Sequence, residues 1–265
     1  MALLGYFASL LIGVSLGLIG GGGSILTVPV LVYLFGLNPL LATSYSLFVV
    51  GAASFVGAVD NFRKGWVHLK AVGLFGSSSL VTVFATRRFL VPAIPGKLAQ
   101  IGSVTLTFSL LTMLLFAVLM LLASVSMIRG RKEAAVESEC SDCFTVRKLL
   151  GYGVGIGLVT GLLGAGGGFL LIPALVLLLR LPMKMAVGTS LLIIALNSLI
   201  GFAGDLGHVA IDWGFLIRVS TIAVAGIFLG GALGKKIAGE RLKRSFGWFV
   251  LLMGSSILVR EILLR

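Results

Sequence analysis

Apolar residues run along this chain in eight long stretches that are separated by polar interruptions. The stretches cover residues 2–36, 42–59, 69–85, 101–128, 149–179, 186–204, 213–233 and 246–259. Most of them approach the roughly 20 residues that a helix needs to cross the hydrocarbon core of a bilayer. The interruptions are short except at residues 129–148, where charged side chains concentrate. The pattern predicts an all-α polytopic membrane protein with one polar linker.

The composition fits a lipid environment. Of the 265 residues, 58% are hydrophobic and only 11% are charged, against about 25% charged in an average soluble protein. A soluble domain is excluded, because so few charges cannot cover its surface. The net charge of +12 comes from basic residues in short runs between apolar stretches, which is typical of membrane-anchoring loops and not of a nucleic-acid interface. We expect the lipid bilayer, and no nucleic acid, as a partner.

The chain contains an internal repeat at an offset of 144 residues. Between positions 13–57 and their counterparts at 157–201, 17 of 45 residues are identical. Pro29 and Pro173, and likewise Ser46 and Ser190, keep the same distance from a glycine cluster, so shared apolar composition does not explain the match. We divide the chain into a first membrane repeat at residues 1–128, the linker at 129–148 and a second membrane repeat at 149–265.

Basic residues decide between two topologies, because cytoplasmic loops are enriched in Lys and Arg. If every apolar stretch crosses once, the 21 basic residues divide 11 to 10 between the two sides. If stretches 2–36 and 149–179 fold back and leave on the side they entered, the division is 15 to 6, and the smaller group is Arg87, Arg88, Lys97, Arg218, Arg260 and Arg265. Each repeat then crosses three times, so the second repeat is inverted. We expect a multi-pass protein of the cell membrane with a cytoplasmic linker.

Length and glycine content also favour the fold-back. The stretch 2–36 would measure about 50 Å as one helix, well beyond a hydrocarbon core of about 30 Å. Four consecutive glycines at positions 20–23 each disfavour helix by about 1 kcal/mol relative to alanine. We interpret both stretches as re-entrant, broken helical hairpins with glycine tips. The alternative is a tilted continuous helix whose glycines allow close helix packing.

The glycine tips are the candidate binding site. Irregular backbone at membrane depth is tolerated only inside protein or beside a watery cavity, so the two tips are expected to meet near the midplane, where transporters with inverted repeats bind their substrates. Free amides at the start of a helix attract anions, and Ser24 is the expected N-cap. The first tip comprises Gly20, Gly21, Gly22, Gly23 and Ser24, and the second contributes Gly164, Gly166, Gly167 and Gly168.

Polar side chains follow each tip and are candidate donors to an oxyanion. They are Thr43, Ser44 and Ser46 in the first repeat and Thr189, Ser190 and Asn197 in the second. The alternative is that the hydroxyls bond back to their own helix or join neighbouring helices. No Asp or Glu lies well inside an apolar stretch, since Asp205 stands at the end of one. Cation pumps usually carry intramembrane carboxylates, so we expect an anionic or neutral substrate that neutral donors bind.

The rest of the sequence offers little further chemistry. Cys140 and Cys143, the only cysteines, match half of a four-cysteine zinc site, and their role stays open. We expect no metal, no cofactor and no catalytic residue.

The two tips and the segments after them resemble a known family. Residues 17–29 read G-L-I-G-G-G-G-S-I-L-T-V-P and residues 161–173 read G-L-L-G-A-G-G-G-F-L-L-I-P, followed by A-T-S-Y-S-L at 42–47 and A-V-G-T-S-L-L at 186–192. These motifs are similar to those of the TauE/SafE (TSUP) family of sulfite and organosulfonate exporters and permeases, across essentially the whole chain. The resemblance implies a permease for a small sulfur-containing anion such as sulfite, sulfoacetate, another sulfonate or thiosulfate. One departure is Tyr45, which stands where the second repeat has Thr189.

The sequence thus predicts a secondary transporter that alternates access around an anion held at mid-membrane by the two tips. A proton or another ion is the candidate coupling partner, and the oligomeric state stays open. Two alternatives remain, a passive anion channel and a membrane-embedded enzyme.

Overall fold

A computed structural model of the protein describes residues 2–94, 97–101, 104–128, 146–179, 181–234 and 239–263. Most of these residues are helical, and the strands are confined to one small antiparallel hairpin. The first half contains α1 (Ala2–Ile19), α2 (Ser24–Tyr33), α3 (Pro39–Arg63), α4 (Leu69–Ala93), β1 (Lys97–Ile101), β2 (Val104–Thr107) and α5 (Phe108–Ile128). The second half contains α6 (Val146–Leu163), α7 (Gly168–Leu178), α8 (Met183–Asp205), α9 (Trp213–Gly234) and α10 (Gly239–Leu263).

Apolar segments of different lengths lie in many of the described helices. In α3, α4, α5, α8 and α9 they are long enough to cross a membrane. Shorter apolar segments lie in α1, α2, α6 and α10. The predicted all-α polytopic membrane fold is confirmed.

The first glycine-rich stretch is a folded-back hairpin. Gly23, just after the break, lies against the backbone of Leu16, so the chain has already turned back along α1. At the other end of the hairpin, the rings of Tyr6 and Phe35 meet edge to face at 5.5 Å. The hairpin prediction is therefore correct for the first stretch, and the alternative of one tilted helix is wrong.

The second glycine-rich stretch turns in the same way. Gly167 lies against the side chain of Thr160 in the last turn of α6. Leu149 at the start of α6 and Leu179 just after α7 belong to the same apolar cluster. Both ends of this hairpin therefore lie on one side of its tip.

The offset of 144 residues relates contacts as well as residue types. Glycines of α1 pack on α9, and the equivalent glycines of α6 pack on α4. In the first of these packings, Gly13 meets Ala223 and Gly226, and Gly17 meets Gly230. In the second, the contacts shifted by 144 positions recur: Gly157 meets Ser79 and Thr82, and Gly161 meets Thr86. Glycine permits such close approach because it has no side chain to separate the two helices.

The equivalent helices α3 and α8 pack side by side in opposite directions. Ser44 near the start of α3 contacts Asp205 at the end of α8. Gly51 lies against Leu199, and Asn61 near the end of α3 lies against Gly188 near the start of α8. The central pair of the fold is therefore an antiparallel pair of corresponding helices.

Three boundaries differ from the predicted ones. The helix predicted over 69–85 continues as α4 to Ala93, and Lys97–Ile101 and Val104–Thr107 form strands although helix was expected from residue 101. The helix α6 begins at Val146, inside the predicted linker, and the remainder of that linker lies outside the described residues. Near the end of α4, the Val91 amide bonds the Thr86 carbonyl five residues back, in a π-helical turn over Thr86–Leu90. Pro92, which has no N–H to donate, follows this turn.

Two neighbouring glycines of α9 test this packing. A Cβ atom on Gly230 would lie 3.0 Å from the Val14 carbonyl carbon, whereas one on Gly231 would meet nothing within 4 Å. We expect Gly230→Ala to lower the free energy of unfolding by about 1–3 kcal/mol through overpacking. Gly231→Ala is the matched control and should leave it unchanged or raise it by up to about 1 kcal/mol. Thermal unfolding in detergent measures both, and equal stability of the two variants would contradict the packing.

Candidate functional site at the glycine tips

The first tip is a short irregular turn between two helices. Gly20 directly follows α1 and has a φ of +74°, a conformation that favours glycine. Gly21, Gly22 and Gly23 then form a single 3₁₀ turn. Ser24 is not the N-cap that the sequence suggested, because Gly23 occupies that position and Ser24 begins α2. Its buried hydroxyl instead donates to the Gly21 carbonyl at 2.8 Å and closes the turn.

The second tip depends even more on glycine. Gly164, Gly166 and Gly167 have φ values of +67°, +66° and +67°, and Gly167 is the residue that precedes α7. Three left-handed residues in four positions would strain any chain that carried side chains there. Gly168 begins α7. The sequence predicted a break in the helix here, and the structure adds that the left-handed backbone requires glycine.

The two tips are in direct contact. A Cβ atom added to Gly21 would overlap the backbone of Gly168, and one added to Gly168 would overlap the backbone of Gly21. The expectation that the two tips meet is correct. Their backbones touch, so the structure shows the two tips closed against each other.

Each tip also reaches past the other to the start of a long helix. Gly164 lies against Thr43 at the start of α3, and Gly20 lies against Val187 at the start of α8. Thr43 and Val187 are 144 positions apart. The tips therefore overlap in a nearly symmetric way. The second tip touches α3, which follows the first hairpin, and the first tip touches α8, which follows the second hairpin.

The polar residues of α3 have divided roles. Thr43 donates its hydroxyl to the Leu40 carbonyl at 2.8 Å, as a hydroxyl that bonds back to its own helix does. Ser44 donates to Asp205 at 2.5 Å. Ser46 is fully buried, and its hydroxyl has no hydrogen-bond partner. Of these three, only Ser46 keeps its whole hydrogen-bonding capacity.

The polar residues of α8 are also mostly engaged. The Thr189 hydroxyl accepts the backbone N–H of His68 at 2.9 Å, and Ser190 donates back to Val187 at 2.9 Å. Asn197 donates to Ser79 of α4 at 2.6 Å, while its carbonyl oxygen has no partner. Thr189 and Asn197 therefore join neighbouring segments of the fold.

Five further buried hydroxyls lack partners in the described part of the chain, those of Thr27, Ser54, Thr160, Ser198 and Ser220. Ser54 and Ser198 occupy equivalent positions in α3 and α8. Ser198 lies at the second tip, since a Cβ on Gly166 would come within 2.9 Å of its hydroxyl oxygen. An unpaired buried hydroxyl costs about 1–3 kcal/mol, so these groups are available for a polar guest.

The structure also contains a buried ion pair that sequence reasoning missed. Arg87 of α4 donates to Asp205 of α8 at 3.1 Å, and both residues are buried. The expectation that Arg87 is one of the loop charges is wrong, because α4 continues past it. Asp205 stands at the end of its apolar stretch, as the sequence indicated, and its carboxylate is buried there. One sequence signal could have pointed to Asp205. It lies 144 positions after Asn61 and therefore occupies the same place in its repeat, at the end of the helix that pairs with α3.

Tyr45, the departure between the repeats, binds a loop. Its hydroxyl oxygen accepts the backbone N–H of Asp212 at 2.6 Å, just before α9. Its ring lines an open cavity of about 500 Å³ together with Phe35, Leu41, Asp212 and Phe215. Tyr45 therefore shapes a surface cavity and does not join the contact between the tips.

Metal ligands do not cluster in the described part of the chain. No group of three His, Cys, Asp or Glu side chains comes together there. His68 uses its Nδ1 atom to accept the Ala71 amide at 3.1 Å and so caps α4. Cys140 and Cys143 lie outside the described residues.

Comparisons with known proteins agree with the glycine motifs. The family described as sulfite exporter TauE/SafE matches residues 5–257. A probable membrane transporter protein of Xylella fastidiosa (strain 9a5c) is 30% identical over 255 residues, which cover 95% of this chain and 92% of that protein. The probable membrane transporter protein YunE of Bacillus subtilis (strain 168) is 26% identical over 92% of this chain and 93% of its own length. No solved structure matches significantly. The chain therefore belongs to the TauE/SafE family of integral membrane proteins.

Proposed function

We propose that this protein is a permease for a small sulfur-containing anion, such as sulfite, sulfoacetate, another sulfonate or thiosulfate. The anion binds at mid-membrane where the two glycine tips meet, and rocking of one half against the other alternates its access. The observation that carries the proposal is the backbone contact between Gly21 and Gly168. Two re-entrant tips that touch form a barrier that has to open for a solute to pass.

Buried side chains of α3 and α8 favour an anion with several acceptor oxygens. The hydroxyls of Ser46, Ser54 and Ser198 have no hydrogen-bond partner, and that of Ser198 lies close to Gly166 of the second tip. The glycine tips add backbone amides at the starts of α2 and α7, where the helix dipole favours negative charge. Neutral donors of this kind bind an oxyanion without the desolvation cost of a lysine cluster.

Two independent observations support the orientation of the halves. Corresponding helices α3 and α8 pack antiparallel, and with both hairpins folded back and the buried Arg87 left out of the count, the basic residues divide 15 to 5. We infer an inverted repeat in the cell membrane with a cytoplasmic linker at 129–148. A proton or another ion remains the candidate coupling partner.

A transporter is favoured over an enzyme by the names of the relatives, which are probable membrane transporter proteins. A passive channel would share the glycine tips, but it would not show counterflow. Liposomes loaded with an excess of unlabelled anion therefore separate the two transport modes. A carrier accumulates labelled anion from outside in exchange for the unlabelled anion, whereas a channel does not.

The glycine contact predicts a specific loss of transport. Gly168→Ala forces a methyl group into the Gly21 backbone, so we expect uptake of sulfite or sulfoacetate into liposomes to fall at least about tenfold, as misplacement of a binding element does. Gly155→Ala is the matched control, because it lies in α6 of the same hairpin and a Cβ there meets nothing within 4 Å. It should transport like the wild type.

Three results would contradict this part of the proposal. Wild-type protein that moves none of sulfite, thiosulfate and sulfoacetate is not the permease proposed. Equal uptake by Gly168→Ala and the wild type would remove the tips from the pathway. Transport without counterflow would favour the channel.

The two cysteines of the chain report the orientation directly, since both lie in the predicted linker. In sealed right-side-out vesicles, a membrane-impermeant maleimide should leave Cys140 and Cys143 unlabelled, and it should label them in inverted vesicles. In a Cys140→Ser, Cys143→Ser background, Ala2→Cys should show the opposite pattern.

The labelling is read by the mass shift of purified protein. If Ala2→Cys and the linker cysteines are labelled from the same side, the halves are not inverted, and the proposed alternation fails.

A further inference from the structure

Arg87 is buried, and only part of its guanidinium is used. The residue is 2% exposed and lies in the π-helical turn Thr86–Leu90 of α4. Its Nη1 atom donates to the Thr43 hydroxyl at 3.2 Å and to Asp205 Oδ2 at 3.1 Å. π-Helical turns inside α-helices occur frequently at functional sites.

The other side of the same guanidinium has no partner. Both Nε and Nη2 are buried without a hydrogen bond. These two atoms present parallel N–H groups in one plane, which is the geometry that binds two oxygens of a single oxyanion. A buried charged donor without an acceptor costs more than a neutral one, so an oxyanion there would satisfy a pair of groups that the fold leaves open.

The unpartnered side faces the second glycine tip. A Cβ on Gly164 would come within 2.5 Å of Nη2 and equally close to the Thr43 carbonyl oxygen. Only a glycine backbone fits between Arg87 and α3. The charged side chain therefore lies at the element that the proposed function requires to move.

The other half of the chain has neutral residues at the positions of this ion pair. The positions equivalent to Asp205 and Arg87 are Asn61 and Gly231. Asn61 donates to its own helix at Gly57, and a Cβ atom on Gly231 would meet nothing within 4 Å. The ion pair is therefore a feature of one half and not of the frame that both halves share.

Few charged groups compete for the guanidinium. Asp205 is its only carboxylate partner among the described residues, and Ser44 holds that carboxylate from α3 at 2.5 Å. Arg88 is exposed and bonds His208 at 3.0 Å instead. Asp205 therefore acts as a positioning residue that fixes Arg87 and balances its charge.

We propose that the Nε and Nη2 atoms of Arg87 form the charged subsite that takes two oxygens of the substrate oxyanion at the second glycine tip. Asp205, Ser44 and Thr43 hold the guanidinium in place from its other side. This inference rests on the proposed function and deepens it. It predicts that the site selects sulfur oxyanions over halides, because a spherical ion cannot engage both N–H groups in the same way.

The test compares two neighbouring arginines. Arg87→Lys keeps the charge and loses the paired N–H groups, so we expect the affinity for sulfite and sulfoacetate to fall by about tenfold to a hundredfold. Chloride binding should change little. Arg88→Lys is the matched control and should bind like the wild type. Affinities come from anion-dependent thermal shifts of purified full-length protein in detergent, at constant ionic strength.

A second variant covers the case in which Arg87→Lys does not fold. Arg87→Gln combined with Asp205→Asn removes both charges and leaves no buried charge unpaired. We expect the double variant to unfold as cooperatively as the wild type and to show no shift with sulfite or sulfoacetate.

The outcomes separate the two levels of the proposal. If Arg87→Lys and the double variant bind sulfite and sulfoacetate with the same affinity as the wild type, Arg87 is not the subsite, while the permease proposal stands. If the wild type binds neither anion, the proposed function fails and the subsite fails with it. Equal losses in Arg87→Lys and Arg88→Lys would indicate general electrostatics and would overturn the assignment.

Discussion

Two peptide backbones, at Gly21 and Gly168, touch where the two hairpins of this protein meet. Because neither residue has a side chain, the tips overlap. Gly164 therefore reaches Thr43 and Gly20 reaches Val187. The tip of each hairpin lies against the long helix that follows the other hairpin. A movement of either tip would therefore displace the start of α3 or α8. The same property of glycine lets α1 pack on α9 and α6 pack on α4.

The broken hairpins are compatible with a membrane because protein surrounds them. Backbone groups without helical partners are tolerated at membrane depth only when they are buried in protein or line a cavity. The tips meet this condition through each other and through buried hydroxyls, of which Ser24 closes the first turn. The hydroxyl of Ser198, which lies close to Gly166 of the second tip, stays unpaired. The region is thus polar inside an apolar molecule.

Duplication built a nearly symmetric frame, and one charge pair breaks its symmetry. Corresponding glycine contacts recur in both halves, whereas Arg87 and Asp205 face each other in only one of them. At the equivalent places the chain has Gly231 and Asn61, which are neutral. The symmetric part accounts for the architecture. The asymmetric part gives one end of the α3 and α8 pair a buried positive side chain with two unused donor atoms.

The sequence by itself determined the membrane class, the repeat and the two glycine hairpins, because length, hydropathy and glycine runs act locally or over one helix. It did not show why glycine is needed at Gly164 and Gly167, which is the positive φ angle of both residues. It assigned the N-cap to Ser24 and placed Arg87 in a loop, and both assignments were wrong. Only the tertiary structure decided that Arg87 meets Asp205, since that contact joins residues 118 positions apart. It depends on α4 continuing through a π-helical turn and on the antiparallel packing of α3 and α8, and neither can be read from local patterns of polarity.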